Sequence, residues 1–146
     1  MASRHFTNFA DHLARGLIDF GSDSLRCLLV DAVPSEANLD TWRFADDVTT
    51  EIADDDYTAG GFSVNATVGA IDAAGDRLPI VFAAATSPAY TDSTISAVGA
   101  VLYKDTGTPG TSPLISFLDF EATVASTNGP YTVTFDTPLY IQTNPA

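Results

Sequence analysis

Apolar and polar residues alternate in short stretches from Tyr57 to Ile141, and Gly, Pro, Asp and Thr clusters separate the stretches. Phe62-Ser63-Val64-Asn65-Ala66-Thr67-Val68 is the clearest case, with apolar side chains at every second position. Such a pattern buries one face of a strand and leaves the other in water. Read this way, the chain predicts strands over 62–71, 78–85, 95–103, 113–120, 131–137 and a short final one over 139–141. Asp72-Ala73-Ala74-Gly75-Asp76 reads as the hairpin turn between the first two. Residues 105–111 and 126–130 carry strong turn chemistry, and the second turn is expected to pair 113–120 with 131–137. Residues 87–92 read as a loop.

Upstream the period changes. Phe6, Phe9, Ala10, Leu13, Leu17 and Ile18 recur at three-to-four spacing, which predicts an amphipathic helix over residues 3–20, with Ser3 as N-cap and Gly21 as stop. That helix either covers the domain's own core or acts as an arm against a neighbouring subunit. The apolar run 25–30 predicts a strand, and Ser35 is placed to cap a short helical turn over 36–42. Residues 43–48 read as irregular or extended. No repeat or low-complexity linker divides the chain. The expectation is therefore mainly β: a single-domain antiparallel β-sandwich or jelly roll over 24–142, with an N-terminal amphipathic helix over 1–21.

A chain of 146 residues fits one domain and buries a sizeable core without staples. Its one cysteine, Cys27, lies in an apolar run and reads as a buried hydrophobe. Charge narrows the possible partners. Nineteen acidic residues against six basic ones give −13, which leaves no electrostatic footprint for nucleic acid or an anionic membrane. The imbalance is uneven: residues 1–43 hold four arginines against six acids, whereas 44–146 hold two bases against thirteen acids. No 18-residue apolar run is present and the N-terminus lacks the layout of a secretory signal, so a soluble, unprocessed cytoplasmic product is expected.

Candidate chemistry is sparse. Asp46 and Asp47, then Glu51 with Asp54, Asp55 and Asp56, invite a cation reading, yet the run lacks the spacing of an EF-hand loop. Asp54, Asp55 and Asp56 are the weak metal candidates, and a solvated acidic loop is the ordinary reading. No carboxylate pair is singled out for glycoside hydrolysis. Both histidines, His5 and His12, fall in the predicted helix, no Gly-x-Ser-x-Gly elbow occurs, and Gly60-Gly61 has no lysine after it. The enzyme hypothesis thus has no anchor residue. Five tyrosines and nine phenylalanines serve a core or an oligomer interface, and Trp42 is a core or interface anchor.

Several stretches carry a resemblance. Residues Ala100-Val101-Leu102-Tyr103-Lys104-Asp105-Thr106-Gly107-Thr108, then Leu114-Ile115-Ser116-Phe117-Leu118-Asp119 and Asn128-Gly129-Pro130-Tyr131-Thr132-Val133-Thr134-Phe135, resemble small β-sandwich virion structural proteins of tailed bacteriophages. Leu28-Leu29-Val30-Asp31, Asn38-Leu39, Phe44 and Tyr57-Thr58-Ala59-Gly60-Gly61 are similar to the same group. The predicted N-terminal helix and the insertion around 87–92 depart from its shorter members. The resemblance implies a non-enzymatic capsid decoration or cement protein on the virion surface, made in the host cytoplasm. Its partners would be the major capsid protein and itself, as a homotrimer, with no cofactor, nucleic acid or membrane. A tail or fibre component is the alternative, and a carbohydrate-binding module is a rival outside the virion. On the capsid reading the less acidic N-terminal part meets the shell or a neighbouring subunit, through Arg4, Phe6, Arg15, Arg26, Trp42 and Arg43.

Overall fold

The computed structural model describes residues 2–54 and 56–143. Its strands are β1 (Ala2–His5), β2 (Leu25–Val30), β3 (Phe62–Val68), β4 (Arg77–Ala84), β5 (Tyr90–Ser93), β6 (Ser96–Lys104), β7 (Leu114–Ala125), β8 (Gly129–Tyr131) and β9 (Leu139–Gln142). Two helices, α1 (Thr7–Ala14) and α2 (Glu36–Thr41), and 3-10 turns at Ala45–Asp47 and Pro109–Thr111 complete the order. Seven strands form one antiparallel sheet in the order β1-β7-β6-β2-β3-β4-β9, and β5 pairs with β8 in a separate ribbon.

The sheet curls on itself. Ser3 of edge strand β1 and Leu139 of the opposite edge strand β9 line the same cavity of about 10 Å³, together with Phe82, Leu102, Leu118 and Phe135. That volume has room for about one water molecule, so the interior is essentially filled. The expected antiparallel sandwich is thus built from a single rolled sheet, with Tyr90, Tyr131, Val133 and Phe135 from the β5–β8 ribbon and the segment after it packed on its inner cluster.

Burial on both faces explains the composition of the central strands. Cys27, Leu29, Ala100, Leu102 and Leu118 face the inside of the curl, in one cluster with Phe9, Ile18, Phe20, Ile80 and Phe82. Leu28, Val30, Val101, Tyr103, Leu114 and Phe117 face outward into a second cluster with Phe6, Leu39 and Trp42. A strand covered on both faces reads as a continuous apolar run, and Leu25–Val30 does. Each buried Val, Leu, Ile or Phe among them contributes about 1.5–3 kcal/mol. In β7 the register opposite β6 shifts between Leu102↔Ser116 and Tyr103↔Leu114, so Ile115 is the extra residue of a bulge. The bulge resets the alternation, so that Leu114 shares the outer cluster with Phe117 and Ile115 the inner one with Leu118.

Four sequence expectations are corrected. The N-terminal helix is α1 alone: Ser3 is not its cap but lies in β1, where residues 2–5 pair with 116–119 of β7. The helix stops at Ala14, with Gly16 at φ 71°, rather than at Gly21. A continuous helix keeps its apolar stripe on one side, whereas this segment must deliver Phe6 to the outer cluster and Phe9 to the inner one. The boundary between a helix over 1–21 and a sandwich over 24–142 therefore disappears, since the first strand belongs to the sheet. Residues 113–120 do not pair with 131–137, because β6 and β1 already occupy both edges of β7 there. Tyr131 pairs instead with Tyr90, inside the stretch read as a loop. Ser35 does cap α2, its Oγ accepting from Asn38 N at 3.1 Å. No helix among the described residues is long and apolar enough to cross a membrane.

Candidate functional site

Strands β2 and β3 stay paired only from Leu25↔Val64 to Cys27↔Phe62. Beyond that point residues 50–52 take over the edge of β2: Ile52 N donates to Leu29 O at 3.0 Å and Asp31 N to Thr50 O at 3.0 Å. The two pieces of chain meet at the Gly60–Gly61 turn, where both residues have positive φ, 92° and 80°. A Cβ on Gly61 would lie 1.7 Å from the Cys27 carbonyl oxygen, so only glycine fits there.

Polar side chains converge on this turn. Tyr103 Oη donates to Gly60 O at 2.6 Å, Arg26 Nε to the same oxygen at 3.3 Å, and Arg26 Nη2 to Gly61 O. Glu51 Oε2 accepts from Gly60 N and from Tyr57 Oη, each at 2.8 Å. Tyr57 Oη in turn accepts from the buried Leu29 N at 3.0 Å, where no strand is left to do so. Over the turn lies a groove of about 350 Å³ whose lining adds Leu28, Ala45, Asp105, Pro109 and Ser112.

Electrostatics set the groove apart from the rest of the surface. Among the described residues, five of the six Lys and Arg side chains are ion-paired: Arg4 with Glu36 at 2.6 Å, Arg15 and Arg43 with Asp11 at 2.7 and 2.9 Å, Arg77 with Asp72 at 3.0 Å, and Lys104 with Asp23 at 3.2 Å. Arg26 instead holds carbonyl oxygens and Ser63 Oγ. Burial pushes the Tyr103 phenol up to about 12, against the opposing pull of Arg26. Burial likewise drives the Tyr57 phenol and the Cys27 thiol far up, which keeps both protonated. In chemical terms Arg26, Glu51, Tyr57 and Tyr103 are committed to fixing a backbone turn, and the groove above them has an apolar floor and a mixed-charge rim.

The structure separates the residues expected to contact a partner. Phe6 and Trp42 are corrected: they are 1% and 8% exposed and stack on each other, centroids 6.4 Å apart, inside the outer cluster. Their area is consumed within the subunit. Arg26 belongs to the groove. Arg43 reaches back to α1, donating from Nη1 to Asn8 Oδ1 at 2.8 Å and from Nη2 to Asp11. Thr7 and Asn8 add bonds to Asp40, and His12 Nε2 meets Arg43 O at 2.9 Å, so this network docks α1 on the segment after α2. Arg4 and Arg15 remain on the surface, each ion-paired as above.

Within the acidic loop, Asp54 Oδ2 accepts from Ser96 N at 3.0 Å and Asp56 Oδ2 from Thr94 N at 2.8 Å. These carboxylates staple the loop to the start of β6. Asp55 lies outside the described residues. Asp47, the last residue of the 3-10 turn Ala45–Asp47, reaches back to cap its start, accepting from Arg43 N and Phe44 N. Among the described residues no group of three or more His, Cys, Asp or Glu is placed to hold a metal ion.

Sequence reading missed the Tyr57–Glu51–Gly60 network and the groove. The Gly60–Gly61 pair before a strand is the one signal for them in the sequence. Comparisons of the chain with protein-family models, with curated proteins and with solved structures find no match.

Proposed function

We propose that this chain is a non-enzymatic structural protein of a bacteriophage virion, a decoration or cement protein that binds and stabilises the shell of the major capsid protein. The observation that carries this reading is where the resembling stretches lie: residues 100–104 are in β6 and 114–119 in β7, the central strands buried on both faces, while Gly129–Tyr131 is β8. The stretches that resemble small virion proteins thus fall on the folding core. A body of this kind is rigid, and its polar side chains are turned to bracing loops: Arg26, Glu51, Asp54, Asp56 and Asp72 all hold backbone amides or carbonyls. Rigidity with short braced loops suits a part that must withstand particle assembly. A charge of −13 keeps the free subunit soluble and away from packaged nucleic acid. On this reading the protein acts as a homotrimer on the capsid surface.

The test is the copy number of this protein relative to the major capsid protein in purified particles, by quantitative mass spectrometry. A ratio near one supports the shell-wide role. A few dozen copies or fewer per particle overturns it in favour of a tail or fibre component.

A further inference from the structure

The β3–β4 hairpin is a stiff finger with apolar residues left in water. Six large hydrophobic side chains are exposed among the described residues, and three of them sit on this one hairpin: Val68 at 46%, Ile71 at 68% and Val81 at 48%. Their placement is not that of a flat patch. Val68 pairs with Ile80, which points into the core, and Val81 pairs with Thr67 on the next rung, so the two valines face opposite sides of the ribbon. Ile71 stands at the tip between them, flanked by exposed Ala70, Ala73 and Ala74.

The same tip is braced more heavily than a free loop needs. Asp72 and Arg77 exchange both backbone hydrogen bonds, at 2.9 and 3.1 Å. The Asp72 carboxylate also takes Gly75 N at 3.0 Å and Arg77 Nε at 3.0 Å. Arg77 lies 4.0 Å over the Tyr140 ring of β9, and Thr143 donates from N and Oγ1 to Asp76 O at 2.8 Å. The Asp72 and Arg77 side chains therefore fix the shape of the turn, while its apolar side chains face water. Such preorganisation lowers the ordering cost of binding.

We infer that this finger is an insertion element whose occupant is an apolar socket with a basic rim on the major capsid protein's shell, which rests on the reading above. Apolar groups on both faces of the ribbon and near its tip call for a concave partner, since a flat one would cover only one valine. Charge gives the rim its sign: Arg77 is neutralised by Asp72, Asp76 adds a further exposed carboxylate, and residues 44–146 carry thirteen acids against two bases. A second copy's finger carries the same exposed Asp76 carboxylate and the same neutralised Arg77, so it supplies no opposite charge to this rim.

The experiment measures cosedimentation of the chain with shells assembled from major capsid protein alone, at low and high salt. Wild type is compared with Ile71→Ser and with the triple variant Val68→Ser, Ile71→Ser, Val81→Ser. Losing burial of one such side chain weakens binding by roughly tenfold, so the single variant should bind roughly tenfold more weakly and the triple variant more weakly still. Wild-type binding should fall as salt rises. Ile71 is 68% exposed, so the single variant should keep the wild-type melting temperature, and it alone serves if the triple variant folds poorly. Wild type that binds while the variants bind equally well overturns the insertion element and leaves the capsid reading standing. Wild type that does not bind shells overturns the capsid reading itself. Self-association of wild type that the variants lose assigns the finger to a second copy and also overturns the inference.

Discussion

Removing the Tyr57 hydroxyl isolates the atom on which the groove is built. Tyr57→Phe keeps the ring, 5.9 Å from that of Tyr90, so no cavity opens. Two hydrogen bonds disappear: the one from Leu29 N at 3.0 Å and the one to Glu51 Oε2 at 2.8 Å. Glu51 keeps Gly60 N and is partly exposed, so water replaces the lost donor at small cost. Leu29 is 0% exposed, and its amide is left without a partner. An unsatisfied buried donor costs about 1–3 kcal/mol, so the expected loss is about 2 kcal/mol. For a domain near 150 residues that lowers Tm by roughly 4–8 °C. Calorimetry with urea unfolding at unchanged m-value measures it. Glu51→Gln and the double variant complete a cycle, in which the shared hydrogen bond makes the double loss smaller than the sum of the singles. A Tyr57→Phe loss below about 0.5 kcal/mol would refute the claim that this hydroxyl replaces a missing strand. The pH dependence gives an independent check. Burial raises the folded-state phenol above the ordinary value of 10.0, so the unfolded chain gives up its proton first as pH rises. That contribution is intact below pH 10 and lost above it, and Tyr57→Phe should therefore shallow the alkaline fall in stability.

Three further outcomes are expected. Gly61→Ala combines a 1.7 Å approach to Cys27 O with a φ of 80°, and should cost more than about 3 kcal/mol, read as loss of the folded protein by circular dichroism. His12 is fully buried with its Nδ1 unpartnered, and burial lowers its pKa from 6.5, so the unfolded chain binds the proton first on acidification. Stability should fall as pH drops below 6.5, and His12→Leu should flatten that limb in melts between pH 7 and 5. Because Asp54 and Asp56 hold the amides of Ser96 and Thr94, Asp54→Ala with Asp56→Ala should lower Tm with or without calcium, and chelation should leave the wild-type Tm unchanged; a calcium-dependent rise in Tm would contradict the stapling role.

How much of this molecule was legible in its sequence depended on whether a segment's pattern had one structural cause or two. In β3 one face is wet, period two is clean, and the strand and its Asp72–Asp76 turn were readable. In Leu25–Val30 both faces are covered, so the run gave the strand's limits but not the side chains' partners. The N-terminal stripe failed for a related reason: Phe6, Phe9 and Ile18 are apolar at helical spacing because three different backbone conformations bring them to buried positions, and periodicity cannot tell that from one helix. Residues 131–135 alternate well, yet their expected partner had no free edge, a fact fixed by β1, more than a hundred residues away. The groove was the least legible part, since Arg26, Glu51, Tyr57 and Tyr103 become neighbours only because β3 leaves β2 after Cys27 and residues 50–52 replace it. What the sequence did carry was Gly60-Gly61, the point where two pieces of backbone approach too closely for a side chain. Paired glycines at the start of a predicted strand therefore mark where polar side chains are needed to satisfy a broken ladder, and in this chain four of them gather there.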